Sequence, residues 1–225
     1  MDSPSSPDLQ SASEWIAQLQ EQARSLGNTV AAAQVHHAMG RIFIERLGDR
    51  KSAAVCYQNA FRLNPQYRPN LEAARRLFAG SGMEEKALAL HQREEELLRD
   101  PAERAESLRA QAVLLRRLGR AGEADELVED ALRLAPDHPA LLQWRVEAAE
   151  RAGEQGLTAR LLLRSADATV DPVHRARLLR RAVLLLEKLS AAPEADEETA
   201  ALLREAAGKL HQADAHDPLA FSAML

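Results

Sequence analysis

Apolar residues return at three- and four-residue intervals along almost the whole chain. Trp15, Leu19, Ala23 and Leu26 form one such series, and Leu71, Ala74, Leu77 and Phe78 another. That spacing puts each series on one face of a helix, with polar residues around the rest of the turn. No run of β-branched residues alternates apolar and polar, so no strand is expected. The predicted helices run from about Ser13 to Leu26, Val30 to Leu47, Lys51 to Leu63, Pro69 to Phe78, and Glu84 to Arg99. The third unit opens at Pro101 with a helix to Leu118 and a second helix closed by Pro136, the fourth runs from Pro139 to about Ala168 with its turn at Gly153, and helices follow from Val173 to Leu189 and from about Glu197 to Ala213.

The breaks are as regular as the helices. Gly27, Gly48, Gly119 and Gly153 stand where a helix must turn back, and glycine suits the left-handed residue after a helix end. Pro65 and Pro136 close second helices, because proline cannot continue a helix interior. Asp100-Pro101 and Asp171-Pro172 open helices: the carboxylate caps the free amides, and proline takes the first position, where no amide partner is needed. Residues 47–71 and 118–142 coincide at Leu47/Leu118, Gly48/Gly119, Ala53/Ala124, Ala60/Ala131, Arg62/Arg133, Leu63/Leu134, Pro65/Pro136 and Leu71/Leu142. The offset is about 71 residues, roughly twice the period of a two-helix repeat. Ala53, Ala87 and Ala124 lie early in second helices. Ala60 and Ala131 lie two turns later. Small residues there let paired helices approach closely, and larger ones force them apart.

The pattern is similar to the tetratricopeptide repeat family. Residues 105–138 carry Leu108, Ala112, Leu115, Gly119, Ala124, Val128, Ala131 and Pro136 at the family spacings. Residues 33–66 carry Gly40, Phe43, Gly48, Ala53, Tyr57, Ala60 and Pro65. Units two, four and five match less closely, with Arg145 at a normally apolar position and a long "SAAPEAD" connection in unit five. The resemblance implies an all-α fold, a right-handed α-solenoid of stacked antiparallel helix hairpins. The expected organisation is a flexible tail over 1–12, a packing helix over 13–27, about five hairpins over 28–216, and over 217–225 the start of a truncated sixth unit or a terminal cap.

The resemblance also implies that first helices line a concave groove that holds proteins or peptides. The groove-facing positions it implies are Gln34, His37, Arg41, Glu72, Arg76, Arg109, Arg116, Arg117, Gln143, Arg177, Arg180 and Lys188. First helices carry about fifteen Lys/Arg against about seven Asp/Glu, and second helices reverse the balance. An acidic partner is one reading of that asymmetry; arginine stems laid over apolar surface give the same count without a partner. Trp144 falls beside the core positions toward the groove. It is either an interface anchor or, the stronger reading, a ring that fills a gap between units. The family's Lys/Asn clamp for C-terminal carboxylates is not evident, because His37, Ala38 and Arg41 stand in its place.

Composition and charge narrow the functional classes. The chain has 225 residues, 46% hydrophobic but only 4% aromatic, and a net charge of -5. Net acidity and few aromatics argue against nucleic acid, leaving an RNA-binding helical repeat as the alternative. A second alternative is the repeat region of a longer enzyme. No apolar run approaches membrane-spanning length, the first residues lack a secretory apolar segment, and Cys56 is single; a cytoplasmic setting is expected. No phosphate loop, nucleophile elbow or spaced metal-ligand set is present. His36-His37 point apart on a helix, and His211 to Asp217 cross a helix end. No catalysis, cofactor or metal is therefore expected. The exposed apolar residues Phe221, Met224 and Leu225 suggest docking of the C-terminal end, through which copies of the chain would associate.

Overall fold

The computed structural model describes residues 6–193 and 196–215. They form eleven helices and no strand. Their bounds are α1 Ser6–Leu26, α2 Val30–Glu45, α3 Arg50–Leu63, α4 Arg68–Ala79, α5 Glu84–Glu95 and α6 Pro101–Arg117. Then come α7 Ala121–Leu134, α8 Pro139–Ala152, α9 Gln155–Ala168, α10 Pro172–Ser190 and α11 Glu197–Ala215. Consecutive helices pack on one another from α1 to α6 and again from α8 to α11. The chain divides into two compact units, residues 1–124 and 125–225, with the division inside α7.

Local chemistry explains the helix ends. Asp49 accepts hydrogen bonds from the amides of Lys51 and Ser52 at 3.0 and 3.1 Å. Asp100 accepts from Ala102 at 3.0 Å, and Asp171 from Val173 at 3.2 Å. Pro101, Pro139 and Pro172 occupy the first helical turn. Gly153 adopts φ 75°, where a β-carbon would clash with its own backbone, so the α8–α9 reversal requires glycine.

Two ends differ from expectation by more than two residues. α1 begins at Ser6 rather than Ser13, because Pro7 falls in the first turn, where its missing amide costs nothing. α5 ends at Glu95 rather than Arg99. The amides of Leu97 and Leu98 bond three residues back, to Glu94 and Glu95, tightening the chain ahead of Pro101, which disfavours helical backbone at Asp100. The sixth unit expected at 217–225 lies outside the described residues.

Within residues 1–124, one cluster joins Ala23, Val35, Met39 and Cys56, with Leu19, Leu26 and Phe43 against it. Another joins Ala53, Tyr57, Ala74 and Leu77, with Ile44, Phe78 and Leu90 against it. Within residues 125–225, Val146, Leu162, Leu163, Leu178, Leu179, Leu186 and Ala206 form a third. Ala53, Ala60 and Ala87 are fully buried, as close helix approach requires. Arg145, the polar residue at an apolar repeat position, is accommodated by an ion pair with Glu129.

Candidate groove on the first unit

Four of the residues expected to face a groove meet around one recess. α2 contributes His37, Arg41, Ile44 and Glu45, and α4 contributes Glu72, Ala73, Arg76 and Leu77. Both are first helices of their hairpins, and α3, behind them, supplies Tyr57 as floor. The recess holds about 400 Å³. Its floor is apolar and its rim is charged.

The floor depends on one glycine. Gly40 faces the Tyr57 ring so closely that a β-carbon there would lie 2.7 Å from Cδ1 and 3.0 Å from Cζ. Tyr57 is buried, and burial pushes its hydroxyl up to about 12, so it stays a neutral phenol. The side-chain amide of the buried Asn70 donates to the Tyr57 carbonyl at 3.0 Å and ties the start of α4 to α3. His37 lies 5.8 Å from the Tyr57 ring and edge-on to Tyr67 at 5.4 Å. Burial lowers its pKa, which keeps it neutral at pH 7.

The rim arginines are matched in place. Arg41 donates to Glu45 at 3.0 and 3.3 Å, and Arg76 pairs with Glu72. Arg50, at the start of α3, is different. It donates to the Gly80 carbonyl at 2.6 Å, at the C-terminal end of α4. A cation there complements the exposed carbonyls of the last turn. Among the described residues no carboxylate is paired with it, so the rim carries one uncompensated positive charge.

The other expected positions are elsewhere. Gln34 is exposed on α2, outside the recess. On α6, Arg117 is exposed, Arg116 is half-buried, and Arg109 pairs with Glu106 at 2.6 Å. In the second unit, Gln143 donates to Glu147 at 3.0 Å. Arg177, Arg180 and Lys188 are exposed on α10. Trp144 is buried, and its indole N–H donates to Asp125 at 2.7 Å. Sequence reasoning missed Arg50; Tyr57 is buried in the core as its repeat position implies, and it also forms the floor of the recess. No local signal marks Arg50, because the Gly80 carbonyl it meets lies 30 residues along the chain.

Paired helices with glycine reversals, capped starts and buried alanines at fixed intervals define an all-α helical-hairpin repeat protein. The tetratricopeptide repeat model matches residues 33–67, which cover most of α2 and all of α3. Solved structures agree in fold. MamA protein is 14% identical, with 81% of this chain and 90% of that chain covered and a TM-score of 0.51. Pseudomonas aeruginosa pilF is 16% identical, with 96% and 100% covered and a TM-score of 0.50. YrrB, a TPR protein described as having an unusual peptide-binding site, is 12% identical, with 92% and 97% covered and a TM-score of 0.52. Compared by sequence with curated proteins, the chain matches none. No described helix is long and apolar enough to cross a membrane.

Proposed function

We propose that the chain is a noncatalytic interaction scaffold that holds a partner peptide or helix in the α2–α4 recess of its first unit, for assembly of a larger complex. The observation that carries this reading is the recess itself: an apolar floor of Tyr57 and Leu77 under a rim with one unmatched cation. An apolar side chain of the partner covers the floor, and an adjacent carboxylate meets Arg50. The acidic preference thus rests on Arg50, since Arg41 and Arg76 already have carboxylate partners. The peptide-binding description of YrrB supports the same use of the fold. Cys56 is buried with its thiol pushed up to about 11 by burial, which keeps it unreactive, and the cytoplasm is the compartment we propose.

The test is titration of the whole chain with two fluorescent peptide pools of equal apolar content, one acidic and one basic, across a salt series. The acidic pool is expected to bind more tightly and to weaken as salt rises. Arg50→Ala is expected to weaken it about tenfold, the equivalent of roughly 1.4 kcal/mol for one lost charge-assisted hydrogen bond. Equal binding of both pools, without salt dependence and unchanged by Arg50→Ala, overturns the acidic preference. No binding of either pool overturns the recess as the site.

A further inference from the structure

The α2–α4 recess fits a ligand with two features: large apolar side chains for its floor, and a carboxylate beside them for Arg50. The arginine is already aimed. Arg50 lines the recess, and its hydrogen bonds to the Gly80 carbonyl and to Ser81 Oγ, at 2.6 and 3.4 Å, both use Nη1. Nε and Nη2 have no partner among the described residues. That edge of a guanidinium takes a carboxylate through two parallel hydrogen bonds. Beneath it, Tyr57 and Leu77 are buried and Ile44 is half-buried, in a space of about 400 Å³. That volume lies in the range of sites that bury a ligand.

The chain itself carries a segment with both features. Residues 216–225, outside the described residues, read "HDPLAFSAML". Asp217 is the one Asp, Glu, Lys or Arg among them, and Leu219, Phe221, Met224 and Leu225 are the large apolar residues. Asp217, Phe221, Met224 and Leu225 stand at i, i+4, i+7 and i+8, the spacing that a helix brings to one face. Asp217-Pro218 also repeats the Asp100-Pro101 and Asp171-Pro172 pairs that open α6 and α10. Asp100 caps α6 through Oδ1 alone, so a carboxylate in that role keeps its second oxygen for an arginine.

We propose that the recess of one copy takes residues 217–225 of a second copy, with Phe221 on the apolar floor and the Asp217 carboxylate on Arg50 Nε and Nη2. This assignment rests on the peptide-holding reading of the first unit and names the peptide. The segment follows α11, which packs on α10 and α9, whereas α2, α3 and α4 build the recess. A second copy, free to approach, is therefore the donor. Each copy offers one recess and one segment, so the contact is heterologous, and it adds copies head to tail.

The test is sedimentation velocity of the whole chain from about 1 μM to about 100 μM, which covers micromolar dissociation constants. The natural chain is expected to pass from monomer to dimer and larger species as concentration rises. Arg50→Glu spoils the recess and leaves the segment, while Phe221→Ser spoils the segment and leaves the recess. Each variant alone is expected to stay monomeric. Mixed in equal amounts, they are expected to form a pair of one each that grows no further, because one natural recess meets one natural segment. A fluorescent peptide of residues 214–225 is expected to bind the Phe221→Ser chain, and to bind about tenfold more weakly when Arg50→Ala is added. Association that neither variant changes, or a mixture that stays monomeric, overturns the proposal. A natural chain that binds the peptide yet stays monomeric throughout overturns the second copy as donor. If the acidic peptide pool binds and the 214–225 peptide does not, the proposal falls and the recess stands. If neither binds, the peptide-holding reading itself falls.

Discussion

Gly40→Ala is expected to destabilise the first unit by about 2 kcal/mol, although the same change in an open helix would stabilise it. Glycine in a helix interior costs about 1 kcal/mol relative to alanine, so with free space around position 40 the substitution would raise the urea midpoint. The space is filled. The Tyr57 ring approaches within 3 Å of where the new β-carbon would stand, and Tyr57 is itself buried against Leu77 and Ala74. Overpacking of this kind typically costs 1–3 kcal/mol or more, which outweighs the propensity gain. Gly40→Leu is expected to cost more still. Tyr57→Leu in the Gly40→Ala background is expected to recover part of the loss, with a coupling of about 1 kcal/mol between the two positions. Urea unfolding with an unchanged m-value reads the effect. A higher midpoint for Gly40→Ala shows that the ring does not bar the position. Because the ring is also the recess floor, the variant is expected to bind the acidic peptide pool less tightly.

Gly40 illustrates how much of the architecture was legible. Its helix, the paired helix after it and the small residues between them follow from spacing alone, since period and breakers act within a few residues of each other. The positions of Ala53, Ala60 and Ala87 in the core were readable for the same reason. The recess was half readable. His37, Arg41, Glu72 and Arg76 recur on first helices, so repeat register brought them to one face. Arg50 was not readable, because its role depends on a carbonyl thirty residues away that no periodicity announces. The charge asymmetry was visible in the counts, but several of its arginines are matched by glutamates three or four positions along the same helix, as in Arg41–Glu45, Arg76–Glu72 and Arg109–Glu106, and others by carboxylates on neighbouring helices, as in Arg75–Glu94. A sum over helices hides such pairs, and only geometry separates Arg50 from them. The start of α1 was missed because Ser and Pro read as a tail, whereas a proline in a first turn obstructs nothing.

Arg75→Leu is expected to cost about 3 kcal/mol at neutral pH, against less than 1 kcal/mol for Arg41→Leu at the equivalent place one repeat earlier. Both arginines pair with a glutamate on a rim, and burial separates them. The Arg41–Glu45 side chains are 58% and 54% exposed, where water replaces a lost partner. The Arg75–Glu94 side chains are 25% and 9% exposed, so removing the arginine strands a carboxylate away from solvent. The penalty is also expected to depend on pH through His91, which shares its recess with Glu94, Glu103, Glu106, Arg68 and Arg75. In the natural chain His91 titrates near 4 when folded and near its ordinary 6.5 when unfolded. Between those values the unfolded chain binds the extra proton, so this contribution to stability is complete above pH 6.5 and is lost as pH falls toward 4. Arg75→Leu removes the second of the two causes that hold His91 low, after burial, and the variant therefore loses less on acidification. The gap between natural chain and variant is expected to narrow from about pH 7.5 to about pH 5 in urea unfolding. A gap that stays constant shows that Arg75 does not set the protonation of His91, and a cost below 1 kcal/mol at neutral pH shows that Glu94 finds water without it.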